Sequence, residues 1–203
     1  MMLDILHNND WERPIYFTGG SYDDSEYFWM KDYLQLDGLV YKLVPIKTPI
    51  DPNNPYQMGR IDTDIMYDIV MKWDWGNSDS KDIYHDPETR KNSISFRSNI
   101  TRLAETLIDE GQKEKAKTVL DLAMEKMPID YFGFYSLISP FIEIYYRLNE
   151  NDSARDLFDK VSYKYFDRLN YFNSLELELQ YSCLLYTSPS PRDQRGSRMA
   201  ASA

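Results

Sequence analysis

The chain has 203 residues, with 23 Lys+Arg against 33 Asp+Glu, a formal net charge of −10 and 42% hydrophobic residues. That size and apolar share fit one globular domain or two small ones with a core. The acidic balance argues against a nucleic-acid or anionic-membrane surface, since either needs a basic footprint. No apolar run approaches the roughly 18–20 residues that span a bilayer. The first residues lack the basic and apolar regions of a signal peptide. A single Cys excludes an internal disulfide framework and a Cys-rich metal site.

In chain order, residues 1–50 read as a small α+β module. A short apolar helix at Leu3 and Leu6 stops at Asn8-Asn9-Asp10. Pro14-Ile15-Tyr16-Phe17-Thr18, ended by Gly19-Gly20, predicts a short buried strand. Residues 27–36 suit a helix, and Leu39-Val40-Tyr41-Lys42-Leu43-Val44-Pro45-Ile46 is the strongest strand candidate. Residues 51–92 read as a linker holding one helix. Prolines 49, 52 and 55 make its start irregular, and residues 76–82 break it again. The helix between opens at Asp62 or Thr63, with Ile65, Met66, Ile69, Val70 and Trp73 on one face.

Residues 93–182 carry the clearest pattern. Ile100, Leu103, Ala104, Leu107 and Ile108 form an apolar stripe ending at Gly111. Ala116, Val119, Leu120 and Ala123 form a second stripe, ending at Pro128 with the spacing of the latter half of a tetratricopeptide repeat. A second copy follows in Phe141, Ile142 and Tyr145, a turn at 149–152, then Ala154, Phe158 and Val161. Two such hairpins are fewer than the roughly three of a free-standing solenoid, so they must lean on the first module or on further repeats. The expected fold class is therefore α+β, mostly α: a small strand-containing N-terminal module followed by tetratricopeptide-like helical hairpins.

Residues 183–203 have neither helical nor strand periodicity. Back-translated, Cys183 to Asp193 resembles the transposon-end and adapter sequence of a short-read sequencing library. The segment is expected to be non-native read-through, to be left out of fold reasoning. Without it the charge is −12 and no cysteine remains.

Few residues promise chemistry. Asp62-Thr63-Asp64 matches the Asp-x-Asp pattern that holds a metal and a sugar nucleotide in many glycosyltransferases. Opening a helix, however, these carboxylates are better placed to cap free N–H groups. Tyr22-Asp23-Asp24 with Glu26 lacks the oxygen count of a calcium loop. His7 and His85 have no Cys or His partner at metal spacing, and no cofactor is implied. Aromatic density is the one odd quantity, at 15%. Tyr131, Phe132, Phe134 and Tyr135 crowd the loop between hairpins, and Trp73 and Trp75 adjoin. They serve either as knobs between packed helices or as a surface for a sugar ring or peptide.

Three strings stand out together: Asn9-Asp10-Trp11-Glu12-Arg13-Pro14-Ile15-Tyr16-Phe17, Tyr33-Leu34-Gln35-Leu36-Asp37-Gly38-Leu39-Val40-Tyr41-Lys42-Leu43-Val44-Pro45-Ile46, and Asp62-Thr63-Asp64-Ile65-Met66-Tyr67-Asp68. They resemble a bacterial family of large multi-pass membrane proteins, labelled domain of unknown function 2723 and related to protein O-mannosyltransferases. The resemblance covers nearly all of residues 3–182 and is to the family's soluble C-terminal portion. It implies a non-catalytic domain on the periplasmic face of the inner membrane. Its partners would be the membrane-embedded half of the same protein and an acceptor protein or glycan. The family's catalytic acidic residue is expected in an early membrane loop, so no catalytic residue carries over. The alternative is a free-standing tetratricopeptide-like scaffold that grips a peptide or protein. A soluble enzyme using Asp62, Asp64 and a metal is the third reading.

Overall fold

In the computed structural model, residues 2–18, 28–49 and 58–176 are described. The glycine pair 19–20, the acidic loop 22–26, the proline run 50–55 and the tail 183–203 lie outside them. The chain divides into two units, residues 1–155 and 156–203. The architecture is α+β and mostly α, with a small antiparallel sheet near the N-terminus followed by helices.

Helix α1 (Met2–Asn9) ends where Asp10 and Trp11 take positive φ. Strands β1 (Tyr16–Thr18), β2 (Leu34–Asp37) and β3 (Val40–Leu43) form a sheet in the order β1-β3-β2. Both pairs are antiparallel. Two expectations change here. Residues 27–36 are not one helix: a 3-10 turn at Phe28–Tyr33 gives way to β2. The register Leu34↔Leu43 and Asp37↔Val40 makes β2 and β3 a hairpin, and that pairing overrides the helical pattern. Strand β1 is also not buried, because it lies at the sheet edge with Tyr16 48% exposed. Leu34, Leu43 and Met30 form a core cluster, with Leu6, Ile15 and Phe17 packed on it.

The β2–β3 turn is Gly38-Leu39, a two-residue connection whose first residue has φ +69°. Glycine adopts that conformation without a steric penalty, as such hairpins require. The turn is also closely overlaid. A Cβ at Gly38 would stand 3.0 Å from Ile69 Cγ2 and 3.1 Å from the Trp73 ring. Asn99 Nδ2 donates to the Gly38 carbonyl at 2.8 Å. The far edge of β2 is completed by Arg60, which exchanges backbone hydrogen bonds with Leu34 and Leu36. Its side chain donates to Gln35, and Gln35 donates to Asp37.

Helix α2 (Thr63–Met71) begins as its sequence suggests: Asp62 Oδ1 accepts from the Ile65 N–H at 3.3 Å. Met66 and Val70 are fully buried, but Ile65, expected on the same face, is 42% exposed. The helix instead turns Thr63 inward, where its hydroxyl donates to Glu110 at 2.6 Å.

Helices α3 (Pro87–Asp109) and α4 (Lys113–Lys126) form the first hairpin. Asp86 caps α3 with two backbone bonds, and Pro87 fits the first turn because its absent N–H leaves no donor unpaired. Ile100, Leu103, Ala104 and Leu107 meet Ala116, Val119, Leu120 and Ala123 in the core, all fully buried. The small Ala104 and Ala116 permit that close approach. After a short helix α5 (Ile129–Phe132) and a 3-10 turn at Tyr135–Ile138, helices α6 (Ser139–Arg147) and α7 (Asn151–Ser174) follow.

The two interhelical turns match residue for residue at a shift of 38. In the first, Glu110, Gly111 and Gln112 donate backbone N–H groups to Thr106, Ile108 and Leu107. In the second, Leu148, Asn149 and Glu150 donate to Ile144, Tyr146 and Tyr145. Gly111 and Asn149 both have positive φ, and Ala116 and Ala154 accordingly take equivalent, fully buried places. In the second copy Ile144 and Leu157 are buried, whereas the expected Phe158 is 55% exposed. Within the second unit, α7 continues to Ser174 and exposes Tyr163, Phe166, Leu169 and Tyr171.

Candidate functional site

The loop between α2 and α3 is tied down at its middle. Ser78 donates to the Lys126 carbonyl at 2.6 Å, and Lys126 pairs with Asp79 at 3.6 Å. This holds the stretch 80–85 beside the inter-hairpin loop. Between them opens a cleft of about 320 Å³, lined by Ser80, Lys81, Asp82, Ile83, Tyr84, His85 and Tyr131. Tyr84 is 83% exposed at its rim. The His85 ring stacks on Tyr131 at 6.4 Å between centroids and lies 4.9 Å from Phe132. His85 Nε2 is buried without a hydrogen-bond partner among the described residues. Orphaned buried polar atoms are uncommon, and Arg90 Nε and Arg97 Nε share this state.

The loop carrying Tyr131 is shaped by one side chain from α3. Arg97 is fully buried, and its guanidinium donates to the Gly133 carbonyl at 2.6 Å and the Met127 carbonyl at 2.8 Å. Burial lowers its pKa to about 10, with the nearby Tyr135 opposing the shift. Those two carbonyls lie at the C-terminal ends of α5 and α4, where the helix dipoles favour a cation.

The six aromatics singled out in the sequence therefore divide. Tyr131 reaches the cleft. Phe132 is buried behind it and supports His85. Phe134 takes a left-handed φ of 50° and is exposed, whereas Tyr135 is half-buried and near enough to Arg97 to act on its charge. Trp73 and Trp75 do not line the cleft: Trp73 stands edge-on to Trp75 at 5.4 Å and to Phe96 at 5.0 Å, and Trp75 is tilted on Phe96 at 5.4 Å. That trio is half-buried, and Trp73 also covers Gly38.

His85 and Tyr84 were not legible as site residues. Their signal was faint: His85 directly precedes the Asp86 cap, so its ring is fixed at a helix entrance. The Asp-x-Asp carboxylates do not converge on one point. Asp62 caps α2 and approaches Arg60 at 3.7 Å, while Asp64 pairs with Lys115 at 2.9 Å. Among the described residues no group of three or more His, Cys, Asp or Glu is arranged to hold a metal.

The family model described as TMEM260-associated domain 2 matches residues 1–65. The match spans α1, the sheet and the start of α2, and it contains two of the three strings noted above and the opening of the third. No curated protein and no solved structure matches the chain. The N-terminal third is thus similar to a membrane-protein-associated domain. No helix among the described residues is long and apolar enough to cross a membrane.

Proposed function

We propose that this chain is a non-catalytic extracytoplasmic portion of a membrane glycosyltransferase-like protein, related to the protein O-mannosyltransferases and lying on the periplasmic face. In this reading it packs on the membrane-embedded half and presents acceptor protein or glycan at the Tyr131 cleft. The observation that carries it is the match of residues 1–65 to a membrane-protein-associated domain. The cleft adds support, because the aromatic face of Tyr131 and the polar rim of Ser80 and Asp82 suit a hydroxyl-rich ring. Phe134 and the Trp73–Trp75 pair stand apart from this contact.

The test is Tyr84→Ala with Tyr131→Ala in the full-length protein. Acceptor KM should rise several-fold with kcat little changed, as loss of uniform binding requires. Unchanged acceptor use removes the acceptor-presenting role.

The two matching interhelical turns favour a second reading, a free-standing scaffold of tetratricopeptide-like hairpins that binds a peptide or protein. Reading the source DNA through this locus separates the two. A frame continuous upstream of Met1 with several apolar segments of about 20 residues supports the membrane protein; a ribosome site and stop codon just before Met1 support the scaffold.

A further inference from the structure

The Tyr131 cleft holds one acid that the fold does not use. Asp82 lines the cleft, and its carboxylate makes no hydrogen bond or ion pair among the described residues. Its backbone N–H donates to Ser80 Oγ at 3.2 Å. The acids on either side of it are occupied: Asp79 pairs with Lys126 at 3.6 Å, and Asp86 caps α3. Tyr84, His85 and Tyr131 line the same cleft. A carboxylate among aromatic rings draws a cation twice over, by ion pairing and through the negative ring faces. Lys81 shares the lining, but its ammonium rides on a flexible stem and can turn aside. The chain's net charge of −10 favours the approach of a cation from a distance.

The backbone of the cleft adds a second feature. The N–H and C=O groups of Ile83, Tyr84 and His85 make no hydrogen bond among the described residues. A run of free main-chain donors and acceptors is what a second main chain matches. We propose that the cleft binds a Lys or Arg side chain of a polypeptide segment, with Asp82 as its counter-charge and the segment's main chain along residues 83–85. This deepens the acceptor reading of the cleft and rests on it: what is presented there is a basic stretch of polypeptide. A neutral glycan would leave Asp82 without a counter-charge.

The test titrates the 203-residue chain with three probes, following backbone amide NMR shifts at residues 83–85. The probes are a short end-blocked peptide with a central Arg between serines, the same peptide with citrulline, and a methyl hexopyranoside. Citrulline keeps the shape of Arg without its charge. The Arg peptide should bind about five-fold tighter than the citrulline peptide. Asp82→Asn should remove that preference while leaving amide shifts outside the cleft unchanged, and Tyr84→Ala with Tyr131→Ala should weaken both peptides. Equal binding of the two peptides overturns the proposal and leaves the acceptor reading standing. A hexopyranoside that binds tighter than the Arg peptide overturns it in favour of a glycan acceptor. If no probe moves these amides the proposal also falls, while the acceptor reading still answers to acceptor KM in the full-length protein.

Discussion

Gly111 and Asn149 occupy the same place in two turns, each with positive φ and each flanked by the same three backbone hydrogen bonds. Added bulk at Gly111 meets nothing within 4 Å, so the backbone conformation alone sets the cost of a side chain there. Gly111→Ala should destabilise the protein by about 1 kcal/mol, the penalty of holding an L-residue in the left-handed region. Asn149→Ala should lose a similar amount, because asparagine tolerates that region better than alanine. Urea unfolding of both variants measures it.

Arg97 should be the most sensitive single position in the helical part. Arg97→Met leaves the Met127 and Gly133 carbonyls without their donor and should cost about 2–4 kcal/mol. Arg97→Lys keeps the charge but not the fork, and should recover only part of that loss. The pH behaviour follows from its pKa, lowered to about 10 by burial. Above that value the unfolded chain still holds the proton that the folded chain has released, so the group's contribution to stability rises with pH there. Across pH 6–9 both states are protonated, and the gap between wild type and Arg97→Met should stay flat in denaturant titrations.

Glu105, half-buried on α3, has its carboxyl pKa raised, first by burial and then by Glu143 and Asp109, with Arg147 and Arg102 acting against the shift. A raised folded pKa means the protonated form favours the fold. Its contribution is full below about pH 4.5 and is lost as pH climbs through the folded value. Glu105→Gln should therefore match wild type in acid and exceed it in stability near neutrality. Unfolding curves at pH 4 and pH 7 check the crossover.

Asp62 and Asp64 can be tested as a cap and an ion pair. Asp62→Ala should cost about 1 kcal/mol through loss of the α2 cap. Asp64→Ala should cost little, since its bond to Lys115 is solvent-exposed. Calorimetric titration with Mn²⁺ and a nucleotide sugar should give no heat for wild type or either variant; a heat that Asp62→Ala removes would restore the metal-site reading.

Much of this fold is visible in residue spacing, and what is missed has identifiable causes. The hairpin α3–α4 follows from Leu103, Ala104, Ala116 and Leu120, because helical periodicity and small residues at the crossing point to one arrangement. The helix start at Asp86-Pro87 is equally local. Strand β2 was hidden because Leu34 and Leu36 owe their conformation to pairing with Leu43 and Tyr41, which no local pattern carries. Phe158 fits the helical stripe by spacing but is exposed, since periodicity shows which face is apolar and not whether anything covers it. The cleft was less legible still. It depends on a bond between Ser78 and Lys126, 48 positions apart, drawing a polar loop against Tyr131, and on Arg97 holding the Tyr131 loop from inside.

The glycine turn of the β2–β3 hairpin bears on how this protein can be divided. The segment matched by the family model ends at residue 65, within the first turn of α2. The residues that roof Gly38, Ile69 and Trp73, and the amide that holds its carbonyl, Asn99, all come later. The sheet module is thus built to be finished by its neighbour, and a cut at residue 65 would uncover the close joint at Gly38. In evolutionary terms the module and the helices behind it must be inherited together wherever that joint is kept. A shuffled copy of the first 65 residues would have to bring, or find, another lid for Gly38.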